Sequence, residues 1–339
     1  MLLSVIIPVY NAEKYLERSI RSIMCQGLSE GEYEILLIND GSKDRSWELC
    51  LRMSDLYPNI IRAFTKENEG LGPTRQYGVD LAQGDFITFC DADDYLLENG
   101  YKYVIQHFLS DDIDVLAFYS KTVLEKNYHE EVSNKMIHGE IVFDGYGHEF
   151  YQSRCHTFVW NQIFRRTYLK RVSVQFEYLP MVEDVMFNLK LAMTNPRMRV
   201  VSANIYRYEF HQTSLIHNRN KEFLRGAISS YLQLIQCINR YKEQYKSTDL
   251  LLSQGLDRYM RNQMLPFLSR VFLSDYSNTD FCKLKSCLIK EHILPIKKDT
   301  KQDKIISLIF KTSYCFFLYK LMYRTIFIKL IFPYLNRTK

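Results

Sequence analysis

Residues 86–97 read FITFCDADDYLL, an apolar run that stops on three carboxylates, Asp91, Asp93 and Asp94. A short run of this kind reads as a buried strand, which puts the carboxylates at its C-terminal end. Ionised carboxylates packed so closely repel one another and raise each other's pKa unless something positive sits among them. A cation is one answer. The other is that all three are solvated at a strand end, the last of them starting a helix.

Working outward, the preceding residues alternate strand and helix patterns. SVIIPVY (4–10), EILLIND (34–40), IIRAFTK (60–66) and DFITFC (85–90) are strand-like. Between them, Asn11 reads as the cap of a helix with Leu16, Ile20, Ile23 and Met24 on one face, and Asp44 as the cap of the next. Pro73 suits a first helical turn, and Gly84 separates the third helix from the fourth strand. Strands separated by helices predict an α/β fold with a mostly parallel central sheet. In such sheets ligands bind beyond the carboxyl ends of the strands. Those ends are Tyr10 with Asn11, Asp40, Asn68, and Asp91 to Asp94, so one crevice lined with polar groups is expected.

Beyond residue 100 the pattern changes. Residues 101–215 are mixed, with DVLAFYS (114–120) strand-like and EDVMFNLKLAM (183–193) helical; residues 216–303 read as a helical domain. The expected organisation is therefore 1–215, in two halves, 1–100 and 101–215, then 216–303, then a basic, apolar tail, 304–339. Lys311, Lys320, Arg324 and Lys329 break that tail into uncharged runs too short to span a bilayer. Two readings stay open for it: an anchor on the inner membrane surface, or a packed pair of C-terminal helices.

The 339 residues are 47% hydrophobic and 24% charged, an ordinary folded composition that excludes a disordered or collagen-like chain. The net charge of +5 is unevenly placed. Residues 1–210 carry 22 basic and 30 acidic side chains, and residues 211–339 carry 22 and 9, net +13. Such a C-terminal third seeks an anionic surface, and the absence of any nucleic-acid-binding module turns the expectation towards a membrane. The eight cysteines show no metal-ligand spacing and read as reduced, mostly core thiols. MLLSVIIPVY is already strand-like and lacks the features of an export signal, so a cytoplasmic location, peripheral to the inner face of the membrane, is expected.

Four stretches, taken together, resemble family-2 glycosyltransferases with the GT-A nucleotide-diphospho-sugar-binding fold: SVIIPVYNAEKYLERSIRSIMCQ (4–26), EILLINDGSKDRS (34–46), NEGLGPTRQYGVDLAQGDFITFCDADDYL (68–96) and VEDVMFNLKL (182–191). The resemblance implies an inverting transfer of a hexosyl or N-acetylhexosaminyl group from a nucleotide sugar, UDP-linked by preference, to a glycan or lipid-linked acceptor in surface polysaccharide synthesis. It implies that Asp93 ligates Mg²⁺ or Mn²⁺, with Asp91 at the ribose or in the metal shell and His211 near the diphosphate and the metal. Oxygen-only ligands suit these hard ions. It makes 1–100 the nucleotide-binding half and 101–215 the acceptor half, places Pro8, Tyr10, Asp40, Asn68 and Arg75 on the nucleotide side, makes Asp184 the catalytic base with Glu183 in support, and puts Trp160 beside the acceptor. Each has a plainer reading: core for Tyr10 and Trp160, turns for Asp40 and Asn68, a solvated helix charge for Arg75, helix capping for Glu183 and Asp184, and a structural role for His211. Asp94 is expected to start a helix.

Two other classes compete. A non-catalytic nucleotide-sugar or glycan-binding partner would have no need of both Asp184 and Asp93. A nucleotidyltransferase should carry a glycine-rich basic loop after the first strand, where this chain has VYNAEKYLERS.

Overall fold

The computed structural model describes residues 1–124, 137–153, 158–210, 218–296 and 299–323. The four apolar runs form β1 (Leu3–Val9), β2 (Tyr33–Asp40), β3 (Ile61–Lys66) and β4 (Phe86–Phe89), paired in parallel in the order β3-β2-β1-β4. Every residue of β1 and β2 is buried, as in strands covered on both faces. The crossovers are α1 (Leu16–Met24), α2 (Ser46–Leu56) and α3 (Leu71–Leu81). Helix α1 buries Leu16, Ile20 and Ile23, three of the four residues of the apolar face read from the sequence. Helix α3 lies so close to β1 that a Cβ at Gly78 would come 2.4 Å from Ile6 Cγ2, so only glycine fits.

Asn11 does not cap α1. The helix starts after Tyr15 without a side-chain cap. Asn11, in the left-handed region at φ 49°, instead accepts the Lys43 amide at 2.8 Å, while its own amide donates to Ser42 Oγ at 3.0 Å. These bonds tie the end of β1 to the turn after β2. Asp44 is not the cap of α2 either: the cap position is Arg45, which makes no side-chain cap bond, and Asp44, one residue earlier, accepts the Ser46 amide at 3.0 Å.

The sheet continues through later elements: β5 (Tyr95–Leu96), α4 (Gly100–Phe108), β6 (Val115–Leu124), β7 (Ile141–Tyr146), α5 (Gly147–Ser153), β8 (Gln162–Arg165), α6 (Arg166–Val172), α7 (Glu183–Met193) and β9 (Arg197–Phe210). Strand β8 joins β4 and β6 antiparallel, β6 runs parallel to β9, and the far edge of β9 carries β7 and β5. The result is one nine-stranded sheet, parallel through its first four strands and mixed beyond. Its order reverses at β1 and β4, where a doubly wound sheet opens a crevice.

The chain forms two compact units, residues 1–179 with 183–214, and residues 180–182 with 215–339. In the second, α8 (Lys221–Tyr245) and α9 (Leu250–Leu273) pack against each other, followed by α10 (Asn278–Lys290), α11 (Lys301–Ile309) and α12 (Ser313–Met322). Helix α11 starts on a capping box, Thr300 with Asp303, and runs through position 304. The basic, apolar segment thus begins inside a helix of this unit, and residues 301–323 take the packed-helix form. Phe281 of α10 stacks on Phe310 and Phe316, with ring centroids 5.3 and 3.9 Å apart. No helix among the described residues is long and apolar enough to cross a membrane. No disulfide joins two of the described cysteines, and Cys50, Cys90 and Cys237 are buried, fewer than the mostly core placement expected.

Candidate active site

The acidic turn after β4 is built around Asp94, which is fully buried and starts no helix; β5 follows it directly. Its carboxylate accepts the Tyr206 hydroxyl at 2.7 Å and the Glu209 amide at 2.8 Å, and its own amide donates to the Asp91 carbonyl at 3.0 Å. Tyr206 Oη in turn accepts the Asp91 amide at 3.1 Å. Strand β9 therefore clamps the turn from behind, and Asp94 is an anchor. Arg18 of α1 holds it from another side, donating to the Asp93 carbonyl at 2.9 Å and pairing with the buried Glu209 at 2.7 Å. Asp91 and Asp93 stay partly exposed at the front of the turn. Burial and the neighbouring Asp91 carboxylate push Asp93 up to about 7.

Arg75 of α3 crosses from this turn to the start of α7. One terminal nitrogen donates to Asp91 Oδ1 at 2.8 Å and the other to Glu183 Oε1 at 2.7 Å. Instead of standing open to a nucleotide, Arg75 is 2% exposed, a strut between two carboxylates. Burial works against its charge, but Asp91, Glu183 and Asp184 outweigh it and hold the guanidinium protonated. Glu183 is buried with Arg75, and burial raises its pKa in spite of that partner.

Asp184 follows and is only partly covered. Its Oδ1 accepts the Val185 amide at 2.8 Å, and no other protein group bonds the carboxylate among the described residues. Burial first, then repulsion from Glu183, push it up to about 7, against the pull of Arg75. The helix that presents it is fixed by aromatic packing: Phe187 stacks on Phe176 at 3.9 Å and meets Phe164 of β8 edge-on at 5.8 Å. Val182, just before the helix, has φ 62°, a strained conformation for a β-branched residue and one that clusters at functional sites.

The strand ends on the other side of the turn are arranged differently from the sequence expectation. Tyr10, just past β1, is 52% exposed, with a ring free to stack. Pro8 is buried in β1, beyond that strand's last pair with β4, Ile6 with Phe89, where its missing N–H breaks no ladder bond. Asp40 turns inward: Oδ1 accepts Lys66 Nζ at 2.8 Å and the Glu69 amide at 3.0 Å, and Oδ2 accepts the Gly70 amide at 2.9 Å. Its carboxylate shapes the 68–70 loop and presents no oxygen free of a protein partner. Asn68 is exposed on that loop, with Nδ2 bonded to the Asp40 carbonyl at 3.0 Å.

Trp160 is 6% exposed and offers no ring face to a sugar, because its neighbours cover it. It stacks on Tyr206 at 4.5 Å and on Phe158 at 4.8 Å, the latter within 6° of coplanar. The outer ring of this stack is Phe158, 44% exposed. His211 lies outside the described residues.

Four residues escaped the sequence reading: Arg18, Tyr206, Phe158 and Tyr178, the last 68% exposed and packed against Gly70. Arg18 left a trace, standing off the apolar stripe of α1, and Tyr206 shares its β9 face with Tyr208 through the two-residue period. The other two left none.

A parallel α/β half whose acidic strand end is strutted by Arg75 to the buried Glu183, with the partly covered Asp184 beside it, has the fold and site of a GT-A-type transferase. The model described as Glycosyl transferase family 2 matches residues 4–172, and the chain belongs to that family and is a glycosyltransferase. It is 28% identical over 219 residues to an uncharacterized glycosyltransferase, EpsJ, of Bacillus subtilis (strain 168), covering 63% of this chain and 62% of that one. It is 29% identical over 219 residues to the minor teichoic acid biosynthesis protein GgaA of the same organism, covering 63% of this chain and 48% of that one. The chain therefore spans less than two thirds of either relative. Among solved structures, Staphylococcus aureus TarS 1–349 in complex with UDP-GlcNAc shares the fold, with a TM-score of 0.55 and 19% identity over 91% of this chain and 79% of that one.

Proposed function

We propose that this glycosyltransferase moves a sugar from a nucleoside diphosphate donor, UDP-linked by preference, to an acceptor hydroxyl with inversion, Asp184 taking the hydroxyl proton. The observation that carries the reading is the Arg75 fork. By bonding both Asp91 and Glu183, it sets the acidic turn and the base-bearing helix in one electrostatic neighbourhood. Asp184 supplies a carboxylate oxygen with no protein partner among the described residues and a pKa of about 7, the combination a general base needs. Glu183, held by Arg75, positions the helix start and raises the basicity of Asp184. Tyr10 stacks on the base and Asn68 bonds its edge, while Asp40 acts by holding the loop that carries Asn68. Surface polysaccharide assembly is the proposed setting, in line with the name of the relative GgaA.

The donor set of the acidic turn fits a divalent metal that arrives with its substrate. Asp91 and Asp93 offer hard oxygen ligands whose mutual repulsion a cation relieves. Among the described residues no group of three His, Cys, Asp or Glu side chains could hold an ion alone, so diphosphate oxygens would complete the shell. Bound there by Asp93 and Asp91, Mg²⁺ or Mn²⁺ supplies neutralising charge for the departing diphosphate.

A panel of nucleotide sugars, titrated with and without EDTA, tests this. The native chain binds one donor class at least about 10-fold tighter with metal, and Asp93→Ala loses that increment. Donor affinity equal in both proteins, with and without chelator, removes the metal from the scheme. Phe158, at the open end of the Trp160 stack, is the proposed acceptor platform. Phe158→Ala is expected to raise the acceptor KM by about 3–10-fold, the worth of one ring contact, with donor binding unchanged. An unaltered acceptor KM moves the acceptor elsewhere.

A further inference from the structure

The helical unit contains a groove of about 690 Å³ between α10, α11 and residues 294–296. Its apolar lining includes Ile289, Leu294, Ile296 and Leu308, of which Ile289 and Leu308 are 48% and 43% exposed. Three lysines, Lys285, Lys304 and Lys311, also line it, and no acidic side chain does among the described residues. Lys285 Nζ donates to the Lys311 carbonyl at 3.3 Å, and none of the three is in an ion pair among the described residues. Elsewhere on α11 and α12, Ile305, Phe317, Leu321 and Met322 are exposed as well. The inward faces of these helices thus close a core while their outward faces stay apolar.

Scattered exposed apolar residues are ordinary. An open groove with an apolar floor, and with lysines that no carboxylate answers among the described residues, is not. Ammonium groups at the mouth and hydrocarbon on the floor match a ligand that is anionic at one end and aliphatic at the other. We propose that this groove seats an anionic phospholipid of a bilayer surface, its phosphate among Lys285, Lys304 and Lys311 and its first acyl methylenes against Leu294 and Leu308. The C-terminal residues that follow α12 are a poor occupant. Residues 324–339 carry Arg324, Lys329, Arg337 and Lys339 and no acidic residue, so like charge opposes their docking there. A nucleic acid would meet the lysines but leave the apolar floor wet. The inference stands apart from the sugar-transfer reading, since these residues belong to the other unit.

The full chain is sedimented with vesicles of phosphatidylglycerol and, separately, phosphatidylcholine. Native protein is expected to partition onto the first and not the second. The triple variant Lys285→Gln, Lys304→Gln, Lys311→Gln should partition about 100-fold more weakly, at roughly fivefold per lysine near an anionic surface. Its melting temperature and donor turnover in solution should match native. In Leu308→Trp, the added indole emission, read against the native background, should be quenched by phosphatidylglycerol with brominated acyl chains. Native-like partitioning of the triple variant, or an unquenched indole, overturns the proposal and passes the contact to residues 324–339 or another surface. Release from vesicles by millimolar inorganic phosphate at constant ionic strength also overturns it, because the groove would then be a site for free phosphate.

Discussion

Asp184→Asn lowers sugar turnover by about 10²–10⁴-fold, the range for a lost general base, and leaves the donor dissociation constant in place. The amide keeps the size of the side chain and its bond from Val185, and removes only the group that takes the proton. The native enzyme needs Asp184 ionised, and burial with repulsion from Glu183 places its pKa at about 7, so kcat/KM is expected to climb with pH through a limb near neutrality. Glu183→Gln removes one source of that elevation and frees Arg75 towards Asp184, which moves the limb to lower pH. Stability carries the same signature with the opposite sign. A carboxyl whose folded pKa lies above the ordinary 3.8 favours the fold only while protonated, so its contribution is full below about 4 and is lost as pH rises through about 7. Asparagine stays neutral and loses nothing. At pH 8 the variant should melt a few degrees higher than native, about 1–2 kcal/mol after allowing for a partly solvated side chain, and at pH 4 the two should coincide. Native turnover in Asp184→Asn would assign the base to another residue.

The scaffold of this site was legible because local signals and the fold agree. β-branched runs of six or seven residues separated by helical periods give the parallel half, and polar residues at the strand ends mark the crevice. The helix carrying Glu183 and Asp184 begins where its pattern begins. What stayed hidden are bonds between residues distant in sequence whose geometry belongs to the sheet. Asp40 looks like a turn residue until the amides of Glu69 and Gly70 are seen on its oxygens. Asp94 looks like a helix start until β9, more than a hundred residues on, supplies a hydroxyl and an amide. Trp160 looks like a platform until Tyr206 and Phe158 cover it, and the exposed ring is two residues earlier. A backbone amide has no identity in a sequence, so partners of this kind are invisible to it.

Arg75→Met is expected to cost both the fold and the reaction more than any other single change near the site. Removing one partner from a buried, hydrogen-bonded charge group leaves the others uncompensated, at about 3–5 kcal/mol. Two carboxylates are stranded here, Glu183 wholly within the protein and Asp91 at its edge. Arg75→Lys should recover only part of the loss, since one ammonium cannot span both acceptors as the planar fork does. A structural role alone would end there. A strut within the active site predicts more: with the guanidinium gone, the pull that holds Asp184 down disappears, so the acid limb of the residual activity moves to higher pH, opposite to its movement in Glu183→Gln. The double variant Arg75→Met, Glu183→Gln separates the two effects. It no longer buries an unpaired carboxylate at position 183, so its melting temperature should recover towards native. Its turnover should stay low, because nothing then ties the Asp91 turn to the helix of Asp184. Recovery of turnover along with stability would make Arg75 a packing residue, and the acidic turn and the base would then hold their places by the sheet and the Phe176–Phe187 stack alone.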